Sequence, residues 1–153
     1  MKKYELTDKT KEFAGKTLYR IRALIDFGFV KTGDLGGWIE KEENLSQEGN
    51  AFVFGNANVF DDAYVFDDAN VSGNVNVFGN AKVSGSAKVF GNANIFGNAN
   101  VFDDANVSGN ADVFGNAFVS GHACVFDNAC VFGNACISSD AKVCNNARVC
   151  ENM

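Results

Sequence analysis

From Ala51 onward the chain repeats a six-residue unit: VFGNAN, VFDDAY, VFDDAN, VSGNVN, VFGNAK, VSGSAK and so on to VCNNAR, with no residue gained or lost across residues 53–152. A strict period of this kind marks a solenoid, in which each unit buries its apolar side only by stacking on the next. Within the unit Ala and Val stand two apart, as Ala57 and Val59 or Ala93 and Ile95 do. On an extended strand such residues point the same way, so they form the inward pair. The residue between them and the residue after Val face outward. Gly-Asn or Asp-Asp supplies the bend, because these residue types tolerate positive φ best. Small Ala beside branched Val fills a narrow interior, and the pattern as a whole specifies an all-β chain wound as a parallel β-helix.

The first 50 residues have a different texture. They hold a strand-like alternation in TLYRIRAL (Thr17 to Leu24) and a turn-rich GDLGGWIE (Gly33 to Glu40). A coil left open at its end exposes a sheet edge, so residues 1–50 are expected to cap the helix of residues 51–153. Trp38, Ile39 and Leu45, with the strand of Leu18, Tyr19 and Ile21, are the residues available to cover the first coil.

The repeats resemble those of left-handed β-helix hexapeptide proteins, in which three hexads make one triangular coil of eighteen residues. LYRIRAL, GDLGGWIE and NLSQEGNAFVFGNA further resemble a bacterial and phage subgroup typified by YdcK-like proteins. The resemblance implies a left-handed solenoid of about six coils with a small N-terminal β cap. It also implies a phage, prophage or bacterial-host setting, where a rigid rod of this kind would serve as an accessory protein that inhibits or sequesters a host defence component.

Composition narrows the function further. The formal net charge is −6, and residues 1–50 carry equal numbers of acids and bases, so the excess lies in the repeats. An acidic body argues against nucleic acid as a partner, which would call for a basic stripe. No apolar run is long enough to span a bilayer, and MKKYELTDKTKEFAGK lacks the apolar core of a secretory signal, so a cytoplasmic protein without a membrane partner is expected. The chain has no proline, in keeping with backbone amides committed to ladders.

Sorting the outward residues by an eighteen-residue coil gives three faces. Two alternate large and small residues and are interrupted by Ser72, Ser108, Ser84, Ser120 and Ser138. The other carries an unbroken column, Phe60, Phe78, Phe96, Phe114 and Phe132, beside Asn58, Asn76 and Asn94. Coils repeat at about 4.8 Å, so these rings can stack. Five aligned rings on an outward face exceed what a soluble monomer usually exposes. One reading is local, each ring covering the one below and stabilising only its own coil; the preferred reading buries the face against a second copy, so the expected partner is the protein itself, as a homotrimer or homodimer meeting along this column with the three Asn residues at its rim. A host protein or a small ligand in a cleft between subunits is a further expected partner.

Metal and cofactor are not expected, and the sequence leans against catalysis without excluding it. The hexapeptide acyltransferases depend on a general-base His and a segment that shapes a coenzyme site. Here the single His, His122, occupies a turn slot that other repeats give to Asn116, Asn128 or Asn134, and an uninterrupted coil offers no concavity within one chain. The competing reading is an acyltransferase-like enzyme with its active site between subunits. Asp61-Asp62, Asp67-Asp68 and Asp103-Asp104 take turn slots for backbone reasons, with cation binding or nucleic-acid mimicry as a weaker alternative. Cys124, Cys130 and Cys136 fall on three different faces and cannot converge on a metal. Cys124 with Cys144 and Cys130 with Cys150 are diagonal neighbours at roughly 7–8 Å, near or beyond disulfide reach, so free thiols are expected.

Overall fold

In the computed structural model, which describes residues 2–151, the chain is a parallel β-solenoid of about six coils with an antiparallel β-hairpin at its N-terminal end. The hairpin is β1 (Tyr4–Phe13) and β2 (Lys16–Ala23), followed by β3 (Leu35–Ile39) and then by short strands that begin at Phe52–Val53 and run to Arg148–Glu151. Residues eighteen apart are paired throughout: Asn58 with Asn76, Val59 with Val77, Lys88 with Asn106, Asn100 with Phe118. The strands form three sheets, one per face. Val59, Ile95 and Val131 are fully buried, as are Ala57, Ala93 and Ala129. The inward pair read from the hexad is thus the core of the solenoid.

Backbone groups are used with matching economy. Asn58 N donates to Val75 O at 2.9 Å and Phe60 N to Val77 O at 3.0 Å, and the same two bonds recur from coil to coil. In the bends, the residue after the outward one takes a left-handed conformation. Gly fills most of these slots, and Asp61, Asp67, Asp103 and Asp127 fill others with φ near +58 (57, 58, 57 and 59°). Each Asp also returns a hydrogen bond: Asp61 accepts from Gly79 N at 3.2 Å and Asp103 from Gly121 N at 3.1 Å, one coil further on. The acidic pairs of the sequence are therefore turn devices.

The N-terminal segment is more integral than a lid. The stretch expected to be turn-rich, Gly33 to Glu40, contains β3, which pairs in parallel with the first repeats, Trp38 with Asn58 and Ile39 with Val59. Its two glycines mark close approach and not a bend: a Cβ on Gly36 would lie 2.6 Å from Val53 O, and one on Gly37 2.7 Å from Val53 Cγ1. Leu45 bridges to Val65. Ile39 and Leu45 thus occupy inward slots of the first coil, and the sheet crosses residue 50 without a break. β2 pairs with β3 (Tyr19 with Ile39, Arg20 with Trp38), and Ile21 and Ala23, both buried in the solenoid core, close the coil from above; Leu18 is buried outside that core. β1, which the charged sequence YELTDKTKEF conceals, completes the edge; its register slips between Leu6 and Thr10, where a bulge breaks the alternation.

Three polar side chains tie the hairpin down. The single Tyr4 hydroxyl proton is shared between Leu45 O at 2.6 Å and Glu42 O at 2.9 Å. Lys3, only 2% exposed, donates from Nζ to Ala51 O at 2.7 Å and lies over the Phe27 ring. Asn44 joins the first bends, accepting from Lys41 N and donating to Ala63 O at 2.8 Å.

Candidate functional site

The column Phe60, Phe78, Phe96, Phe114 and Phe132 stands on one face as a continuous stack. Successive centroids are 5.1, 5.0, 4.8 and 5.2 Å apart, and adjacent ring planes differ by 3, 4, 2 and 7°. The regular coil places one ring above the next, and the next ring leaves each little freedom to turn. Beside it runs a polar ladder. Asn58 donates to Asn76 at 2.9 Å, Asn76 to Asn94 at 3.0 Å, and Asn94 to the Asp112 carboxylate at 3.0 Å. All donors point down the solenoid, so the ladder has a direction and ends on a negative charge.

The two ends of the column differ. At the upper end the β1–β2 tip folds over the first ring, with Phe13 edge-on to Phe60 at 5.7 Å and 76°. Lys16 holds the tip down through Asp61 at 3.2 Å and Glu40 at 3.9 Å. As a result Phe60 is 4% and Asn58 5% exposed, covered by their own chain, so the open part of the column runs from Phe78 to Phe132. Asn58 Oδ1, the free acceptor at the head of the ladder, is buried without a partner. At the lower end the Arg148 guanidinium lies 5.3 Å from the Phe132 centroid, and the next position of the column is Cys150, paired with Phe132.

The overhanging tip makes the concavity that repetition alone would not. A groove of about 650 Å³ lies beneath it, floored by Phe60, Phe78 and Phe96 and walled by Asn76, Asn94 and Asp112. This corrects the expectation that one chain has no cleft: the coil is uninterrupted, but the hairpin projects across it. Above the groove Lys11 and Arg20 both lie over the Trp38 indole, at 4.7 and 5.3 Å. Partial burial and the neighbouring Arg20 charge hold the Lys11 ammonium below its ordinary pKa. None of Phe13, Lys11, Lys16 or Arg20 stands out in sequence, since each belongs to the aperiodic segment and reaches the face only through the hairpin.

The other residues singled out in the sequence are dispersed. His122 is exposed and lies with Nδ1 3.4 Å from Asp104 Oδ2, one coil above, in a bend. The outward residues Cys124, Cys130 and Cys136 belong to three different sheets, beside Lys142, Arg148 and Phe118 respectively. All five thiols are free. Among the described residues no three His, Cys, Asp or Glu side chains come together as metal ligands, and no helix is long and apolar enough to cross a membrane.

These features define the class: a parallel β-solenoid built on hexads, with a hairpin-roofed aromatic face. No protein-family model matches the chain. It is similar in part to the uncharacterized acetyltransferase YdcK of Escherichia coli (strain K12), with 36% identity over 62 residues, covering 35% of this chain and 19% of that protein. The chain therefore matches less than a fifth of the length of this curated relative.

Proposed function

We propose that the chain is a non-enzymatic binding and assembly module of the left-handed hexapeptide type, and that it associates with itself along the open phenylalanine column. The observation that carries this reading is the partly exposed stack from Phe78 to Phe132, kept unbroken where the neighbouring faces alternate Phe with Ser. Covering the exposed part of each ring contributes roughly 0.5–1 kcal/mol, so the rings of two subunits together contribute several kcal/mol to an interface. The resemblance of the N-terminal segment to chains of phages and their hosts supports a host protein as the partner of the surfaces that self-association leaves free. The test is to change Phe78, Phe96 and Phe114 together to Ser, the residue the other faces already use, and to measure mass by sedimentation. Folded monomers are the expected result; a wild type that is monomeric at micromolar concentration overturns the proposal.

A second reading, acyl transfer, is favoured by the name of the YdcK relative and by the imidazole of His122 beside the Asp104 carboxylate, an arrangement in which the acid could orient a base. It is the weaker one, because both groups stand in an open bend away from the groove. Turnover of acetyl-coenzyme A with amine and hydroxyl acceptors, compared between wild type and His122→Asn, decides it. The assembly reading expects no turnover in either protein and equal stability, since Asn serves in the equivalent bends.

A further inference from the structure

Taking the self-association just proposed as its starting point, we infer that the two copies are antiparallel, forming a two-fold dimer centred between Phe96 and Phe114. A two-fold interface sets each position of the face against a defined position of the partner copy. With the coils antiparallel and the aromatic columns face to face, Phe96 of one copy meets Phe114 of the other, and Phe78 meets Phe132. One step further out, the projecting tip over Phe60 meets the height of Cys150. The step at one end of the face thus meets a small side chain at the other: Phe13 and Lys16 overhang the upper end, whereas the position that follows Phe132 in the column is the exposed Cys150.

Charges and amides pair in the same arrangement. Asn94 of each copy faces Asp112 of the other, a donor against a carboxylate. The Arg148 guanidinium, held over Phe132 at the lower end, faces the upper end of the second copy, where Glu40 and Asp61 share the single Lys16 ammonium. Parallel packing brings none of this. It sets tip against tip, and a two-fold along the coil axis carries the Asn94, Asp112 and Arg148 column of each copy to opposite sides of the phenylalanine seam, so none of these pairs forms. Complementarity at both ends and in the middle selects the antiparallel dimer over any parallel dimer or trimer.

Cross-linking tests the direction separately from the association. In the antiparallel dimer Asn76 faces Cys130 of the second copy, whereas in parallel packing, as within one chain, these positions lie three coils apart, roughly 14 Å. The protein to use carries Cys124→Ser, Cys136→Ser, Cys144→Ser and Cys150→Ser, keeps Cys130, and adds Asn76→Cys, a residue this column already holds lower down. A bismaleimide with a two-carbon spacer is expected to join position 76 of one chain to position 130 of another, as read by peptide mass. The same chain with Asn76 left in place is expected to stay unlinked. Links joining 76 to 76 or 130 to 130, or a dimer by sedimentation that yields no 76-to-130 link although both thiols react with a monofunctional maleimide, overturn the antiparallel dimer and leave self-association standing. A protein monomeric by sedimentation before any substitution overturns both.

Discussion

At the scale of single residues, the bends carry the tightest steric demand in the molecule. Each left-handed slot lies under the same slot of the next coil, so a side chain there meets backbone. A Cβ on Gly73 would lie 2.7 Å from Gly91 O, whereas one on Gly55, at the start of the repeats, finds nothing nearer than Gly73 N at 3.7 Å. Both have positive φ, 76 and 62°. The two glycines are therefore expected to differ in their tolerance of alanine. Gly55→Ala should cost about 1 kcal/mol, the conformational strain alone, and Gly73→Ala about 2–3 kcal/mol, because backbone crowding is added. Urea unfolding of the two variants measures the gap; equal losses would mean that adjacent coils yield at no cost. Asp succeeds in four of these slots because its carboxylate recovers a hydrogen bond from the coil beyond, a compensation that Ala lacks.

At the scale of elements, the hexad strands and the hairpin were unequally legible. Every strand after residue 51 follows from the alternation of Ala and Val, since the period is short and each position has one role. β2 could be read from the strand-like run TLYRIRAL. β1 could not, because its bulge and its charges hide the pattern, and β3 was obscured by Gly36 and Gly37, whose small size serves packing and not a turn. The hairpin also carries the molecule's most pH-sensitive anchor. Burial pulls the Lys3 ammonium down from 10.5 to about 8, partly offset by Asp68. Between pH 8 and the ordinary lysine value the unfolded chain therefore binds more protons than the folded one, and stability rises with pH. Burial also raises the Tyr4 phenol well above its ordinary 10.0, so above about pH 10 the unfolded chain loses the Tyr4 proton first and stability falls again. Thermal or urea unfolding from pH 7 to 11 is expected to show a rise from 8 to 10, much reduced in Lys3→Met. An identical profile in that variant would place the pH dependence elsewhere.

At the scale of the whole molecule, the phenylalanine face was legible as a column but not as a site. The eighteen-residue spacing located its rings, and the inward pairs ruled out a shared centre for Cys124, Cys130 and Cys136. The roof over the groove was illegible, because nothing in the local sequence of Phe13 or Lys16 says where a hairpin tip will land. That roof bears on stability: replacing Phe13 by Ser should uncover Phe60 and cost about 1–2 kcal/mol in unfolding free energy while leaving the lower coils intact by hydrogen exchange. Loss of protection throughout the solenoid would show that the hairpin holds every coil and not just the first.

The unbroken register of the repeats also makes the length of the molecule a countable quantity. Because no hexad gains or loses a residue, excising any eighteen residues from the middle removes one rung from each face at once and rejoins every ladder in phase. Excising six or twelve would rotate the remainder by a third or two thirds of a turn, and the aromatic column would continue as a different face. Gene-level slippage in such a tract thus has two outcomes of opposite kind. Whole-coil changes lengthen or shorten the aromatic column in increments of one ring, a graded adjustment of the self-association proposed for it. Part-coil changes split the column between faces.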